Sequence, residues 1–229
     1  PDTLLSRLRE EKAVRLKGGL YHETQVALCY HSNRIEGSRL SEEQTRLIFE
    51  TATLLPENGE GVRVDDIVET TNHFAAFAYL LDIADRPLDT RIIKQFHAIL
   101  KRGTTDAAKD WFSVGGYKRL PNVVGGRETT PPREVPKAVK DLLGAYLGKR
   151  RVRFEDIVDF HWRFESIHPF QDGNGRVGRL IAFKECLLHG MTPFIINDEH
   201  KAFYYRGLSH YSTVPDYLLD TCRSAQDRY

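Results

Sequence analysis

The strongest constraint on this chain is how little of it can be anything but helix. Apolar residues recur at helical spacing from one end to the other, and the breaks between runs carry helix stop and start signals. Leu4, Leu5, Leu8, Val14 and Leu16 mark a first helix over 3–17, closed by Gly18-Gly19. A second is expected over 21–34. Ser41-Glu42-Glu43-Gln44 has the form of a capping box and opens a third, to about residue 52. The same signals predict helices over 65–84, 89–102, 133–147, 153–167, 175–190, 198–211 and 216–227. One stretch reads otherwise: SVGGYKRLPNVVGGRETTPP at 113–132. Its short runs at 117–120 and 122–124 sit among glycines and prolines, which fits a small hairpin better than a helix. The expectation is an all-α, mostly helical fold with a small β-hairpin flap.

Composition narrows the function classes. At 229 residues with 41% apolar side chains, the chain holds about one to two domains of roughly 150 residues. We divide it into an N-terminal helical segment at 1–60 and a core at 61–229. Basic and acidic residues number 33 and 32, for a net charge of +1, so no overall basic field invites a nucleic-acid backbone. No apolar run approaches the roughly 18 residues of a membrane span, and the start PDTLLSRLREEK is not a signal peptide. Cys29, Cys186 and Cys222 are odd in number and far apart, which argues against a disulfide framework or a thiolate metal site and makes the cytoplasm the expected compartment.

The densest run of chemistry-bearing residues is His168-Pro169-Phe170-Gln171-Asp172-Gly173-Asn174-Gly175-Arg176-Val177-Gly178-Arg179, between two apolar-periodic stretches. A Gly-rich loop feeding a helix N-terminus is an anion site: free N–H groups point at the ligand and the helix dipole favours negative charge. Gly173 and Gly175 let the backbone approach a phosphate. Arg176 and Arg179 are neighbours on one helix face, where two guanidiniums repel unless an anion sits between them. Asp172 is a hard oxygen ligand suited to Mg²⁺ beside phosphate oxygens, and His168 is placed to accept a proton from an attacking hydroxyl.

This run fits H-x-F-x-[DE]-G-N-G-R-x-x-R at every defined position and resembles the core motif of the Fic domain. With the flap GGYKRLPNVVGG before it and Tyr204-Tyr205-x-x-Leu208 after it, the resemblance covers roughly 65–215. It implies a protein adenylyltransferase that moves AMP from ATP to a Ser, Thr or Tyr hydroxyl. His168 would be the general base and Asp172 would hold Mg²⁺. Gly173, Asn174 and Gly175 would form the phosphate nest, with Asn174 on the α-phosphate. Arg176 would hold the β-phosphate region and Arg179 the γ-phosphate, while Phe170 anchors the loop. Tyr205 and Leu208 resemble adenine-pocket positions. Doc-like phosphotransferases of this fold carry Ala and Lys where this chain has Gly173-Asn174-Gly175, which favours nucleotidyl transfer. Another diphosphate donor, such as a CDP-linked one, stays open. The flap would receive a target protein, itself included, along an edge at Asn122 and Val123. Pro121 removes one donor there, and Lys118 stands where the family more often has Arg. A homo-oligomer is compatible with this reading.

Ser32-Asn33-Arg34-Ile35-Glu36-Gly37 fits [ST]-x-x-x-E-[GN] and resembles the inhibitory helix motif of Fic proteins that carry their own brake. Glu36 would pair with Arg179 and fill the space of the γ-phosphate; the same Glu could instead orient a water that removes AMP from a modified target. Two rivals remain. His161, Glu165, His168 and Asp172 recur near one helical face, as in a metal-dependent hydrolase, although Pro169 should end that helix at His168. The chain could also be a non-catalytic nucleotide-sensing regulatory module. Residues 213–229 are too few for the winged-helix domain that often follows this layout, so nucleic-acid binding is not expected of this chain.

Overall fold

The computed structural model describes residues 3–56, 59 and 61–229. Ten helices follow in order: α1 (Leu4–Val14), α2 (Leu20–Ile35), α3 (Glu42–Thr51), α4 (Val64–Ile83), α5 (Thr90–Lys101), α6 (Val135–Leu147), α7 (Phe154–Ile167), α8 (Asn174–Leu188), α9 (Lys201–His210) and α10 (Asp216–Gln226). The Ser41 capping box forms as expected: its hydroxyl accepts from the Gln44 N–H at 3.1 Å and its own N–H donates to Gln44 Oε1 at 3.0 Å. The first helix is shorter than expected. It stops at Val14 because Arg15 turns left-handed, φ 53°, and returns its N–H to the carbonyls of Glu11 and Lys12 before Gly18 is reached.

The flap is a single hairpin, β1 (Val123–Val124) paired antiparallel with β2 (Arg127–Glu128). This corrects the placement of its strands. Residues 117–120 form no strand; the turn is Gly125-Gly126, both at positive φ, the backbone a tight two-residue hairpin needs and glycine adopts without strain.

Helix α8 is the axis of the molecule. Every residue from Asn174 to Leu187 is buried, and α2, α4, α5 and α7 pack around it. A helix apolar all round would need no explanation there, but this one carries two arginines, and buried guanidiniums must find partners. The N-terminal helices supply some of them. Leu8, Tyr21, Leu28 and Ile35 of α1 and α2 join the same apolar cluster as Phe77, Phe96, Phe164 and Phe183. The boundary expected at residue 60 lies outside the described residues. Among the described residues, no helix is long and apolar enough to cross a membrane.

Phe170 shows how the core holds the motif loop. Its ring is fully buried and stacks on His97 with centroids 4.0 Å apart and planes 3° from parallel. Phe170→Ala should destabilise the chain by about 3–5 kcal/mol, seen as a lower Cm at unchanged slope in urea unfolding.

Candidate active site

The motif loop begins where α7 ends. His168 caps α7 in the left-handed region, φ 52°, one of three described non-glycine residues with positive φ. Such a conformation costs energy and persists where surroundings over-determine it. Here the His168 N–H donates to the Phe164 carbonyl at 2.9 Å, and its Nδ1 lies 3.3 Å from the Glu165 carbonyl. A carbonyl only accepts, so Nδ1 carries the hydrogen and Nε2 is left with its lone pair for a proton. Burial holds the imidazole below its ordinary pKa.

Asn174 closes the loop. Its side-chain oxygen accepts from the Phe170 N–H at 2.8 Å and its amide donates to the Phe170 carbonyl at 2.9 Å. That side chain is therefore a strut for the loop, and what Asn174 can offer an anion is its backbone. Gly173 precedes α8 at φ 82° and leaves the helix without a side-chain cap, so the first-turn N–H groups stay available to an anion. Gly175 is a cradle: a Cβ there would run into the Glu36 carboxylate and stand 3.0 Å from Arg179 Nη1. A carboxylate already sits over this helix end, which is direct evidence that the place takes negative charge.

Both arginines are placed by partners far off in sequence. Arg179 donates through Nε to the Ser32 hydroxyl and through Nη2 to the Ser32 carbonyl, both at 3.0 Å, and pairs with Glu36 Oε1 at 2.7 Å. Burial works to raise the Glu36 carboxyl pKa, but Arg179 and Arg176 outweigh it and hold it below its ordinary value. Gly37, at φ 95°, turns the chain away immediately after. Arg176 pairs with Glu69 Oε2 at 2.6 Å and Asp172 Oδ2 at 3.2 Å. Lys101 reaches the same Asp172 oxygen at 2.6 Å. Partial desolvation opposes ionisation of Asp172, yet Arg176 and Lys101 keep it far below the usual carboxylate range. Both cations take Oδ2 and the side chain is still 47% exposed, so a hard oxygen remains for a divalent cation.

The flap is bolted to this loop. The Gly115 N–H donates to His97 Nδ1 at 2.9 Å, which puts the hydrogen of that ring on Nε2, facing the Asp172 carbonyl at 3.1 Å. Burial pushes the His97 pKa down to about 4, so the ring is neutral. The Lys118 N–H donates to the Pro169 carbonyl at 2.9 Å, and its ammonium donates to Asn122 Oδ1 at 2.8 Å and Thr129 Oγ1 at 2.6 Å. Asn122 also donates to the Phe170 carbonyl at 3.2 Å. Its side chain thus faces inward, whereas Val123 is exposed on β1. Of the two residues predicted for the docking edge, only Val123 presents its side chain outward.

On α9, the Tyr205 hydroxyl donates to the Ile35 carbonyl at 3.2 Å, which brings it beside Glu36. Leu208 lies farther along, its side chain against the core and its carbonyl accepting from Trp162 Nε1 at 3.1 Å. The hydrolase constellation does not assemble. His161 bonds the Tyr204 hydroxyl at 2.6 Å, and a Cβ on Gly178 would meet His161 and Glu165 rather than Asp172. Among the described residues, no group of three or more His, Cys, Asp or Glu is arranged to hold a metal.

Glu69, His97 and Lys101 escaped the sequence reading. A signal for two of them existed: Ile93, His97 and Lys101 follow at four-residue steps on the buried face of α5, where a His and a Lys need partners. Glu69 gave none, since a lone Glu on a long helix reads as solvated.

Residues 87–185 match the Fic/DOC family. Protein adenylyltransferase Fic of Aedes aegypti is 28% identical over 188 residues, 80% of this chain and 36% of that protein. Protein adenylyltransferase fic-1 of Caenorhabditis elegans is 28% identical over 201 residues, 86% of this chain and 38% of that protein. The chain therefore spans less than two-fifths of these relatives. A Fic-domain signalling protein from Bacteroides thetaiotaomicron shares the fold, with TM-score 0.75 and 22% identity over 97% of this chain and 91% of that one.

Proposed function

We propose that this chain, which belongs to the Fic/DOC family through residues 87–185, is a protein adenylyltransferase that moves AMP from ATP to a target hydroxyl and is restrained by its own Glu36. The observation that carries the reading is the convergence of His168, Asp172, Arg176 and Arg179 around the uncapped start of α8, with a carboxylate seated on the anion cradle.

Each residue has a defined task. The backbone of 173–175 would hold phosphates at the α8 N-terminus, and Arg176 would steady their oxygens as the leaving pyrophosphate gathers charge. His168 Nε2 takes the proton of the target hydroxyl as its oxygen bonds to the α-phosphorus and the bond to pyrophosphate breaks. Asp172 would hold Mg²⁺, which when bound neutralises phosphate charge. A target strand would pair along β1 at Val123–Val124, whose residues are exposed, and bring its hydroxyl to His168. Tyr205 would flank the base. Glu36 on Arg179 takes the charge-assisted contact otherwise offered to a γ-phosphate.

Intact-protein mass spectrometry after incubation with ATP and Mg²⁺ tests the reading, on the unaltered chain, E36G and E36G/H168A. A gain of one AMP mass in E36G, absent from the double variant, is expected. A family-like fold that only senses nucleotide would bind ATP and show no adduct in any variant. A phosphate-sized gain would mark a phosphotransferase.

A further inference from the structure

The cation closest to Asp172 is one that the motif does not contain. Lys101 ends α5 with its side chain 2% exposed, and its ammonium lies 2.6 Å from Asp172 Oδ2 and 2.6 Å from Glu69 Oε1, with Asp106 Oδ2 at 3.7 Å. Arg176 closes a ring, 2.6 Å from Glu69 Oε2 and 3.2 Å from Asp172 Oδ2. Beside it stands the Glu36–Arg179 pair. Lys109 holds the other Asp106 oxygen at 2.6 Å, so Glu36, Glu69, Asp106 and Asp172 are matched by Lys101, Lys109, Arg176 and Arg179. A bare divalent cation meets no net negative charge here, and two positive groups already sit on the Asp172 carboxylate. Like charges about 4 Å apart in a partly buried site repel strongly, because little water lies between them to screen the field. A nucleotide reverses the balance, because its phosphates bring negative charge that both offsets the arginines and ligates the metal.

We propose that Lys101 is a specificity-determining residue: it makes the site refuse the free divalent cation and admit it only together with a nucleotide's phosphates. This rests on the reading that Asp172 holds the metal of a bound nucleotide. Lys101 does this by charge and position alone; it is too deeply buried to touch the phosphates itself.

Mn²⁺ titration followed by the electron paramagnetic resonance signal of the free ion tests it, with and without a non-hydrolysable ATP analogue and corrected for the analogue's own metal binding. The chains compared are the unaltered protein, K101M, E69Q/K101M and D172N. The double variant leaves no carboxylate at Glu69 stranded beside the missing ammonium, and its glutamine amide keeps an oxygen for Arg176, so a folding failure of K101M does not end the test. The unaltered chain should take up Mn²⁺ at least tenfold more tightly with the analogue than without. K101M or E69Q/K101M should bind free Mn²⁺ at least tenfold more tightly than the unaltered chain. Free Mn²⁺ binding equally well to the unaltered chain and to the Lys101 variants overturns the inference while leaving the adenylyltransferase reading intact. If the analogue promotes no Mn²⁺ uptake and D172N changes nothing, the nucleotide–metal reading of Asp172 fails and this inference fails with it.

Discussion

His168→Ala, made in an E36G background, should lower AMP transfer by about 10²–10⁴-fold while leaving ATP affinity within about twofold. The asymmetry follows from what the side chain touches. Its Nδ1 is committed to the Glu165 carbonyl, and no phosphate-binding group depends on it. A drop in ATP affinity of similar size would mean that the loop had collapsed, which H168N serves to distinguish by keeping a polar group of similar bulk. The pH profile gives a second reading of the same residue. The base works only in its neutral form, and burial holds its pKa below the ordinary 6.5. Lys118 on the flap side lowers it further, while Glu36, Asp172 and the Glu165 carbonyl press the other way. The neutral form is therefore full above 6.5 and is lost as pH falls through the lowered value. Transfer should be flat around neutrality and decline only in acid, with H168A showing no such limb.

How far the molecule was legible follows from where each signal lies. Helices were readable nearly to the residue because periodicity, caps and glycine stops are local, as where the Ser41 box opened α3. The hairpin was read too early in the chain, because Gly125-Gly126 mark its turn only once two successive positive φ angles are required there. The motif loop was readable for the same reason, twelve consecutive residues of one chemical purpose. The buried ring was not. Lys101 at the last turn of α5 looks like a cation placed to favour a helix C-terminus, and only the fold shows its ammonium between Glu69 and Asp172, 32 and 71 positions away. The hold on Asn122 was equally hidden: Lys118, Thr129 and Phe170 keep its side chain inward, a set of contacts that hairpin signals do not announce. Sequence thus located the groups proposed to meet substrate and missed those that hold them, because the latter are defined by contacts across helices.

Glu36→Gly should raise transfer at least tenfold in the otherwise unaltered chain. The estimate comes from the contact removed. A hydrogen bond to a charged group contributes about 1.5–3 kcal/mol, and a partner that vacates Arg179 returns that preference to an incoming phosphate, equivalent to about 10–150-fold. Ser32 remains on Arg179 Nε and Nη2 after the change, so the guanidinium stays aimed and is not cast loose. Glu36→Gln separates charge from bulk. The glutamine side chain keeps the size over Gly175 but loses the ionic contact, and it should release only part of the restraint if occupancy of the cradle matters alongside charge. Ser32→Ala with Glu36 intact should act differently: Arg179 loses one support, its pairing with Glu36 survives, and transfer should stay low. Initial rates from the AMP-adduct peak at saturating ATP give all three values. Equal rates for the unaltered chain and Glu36→Gly would show that the 2.7 Å pair with Arg179 restrains nothing, and that its role is to hold α2 on α8.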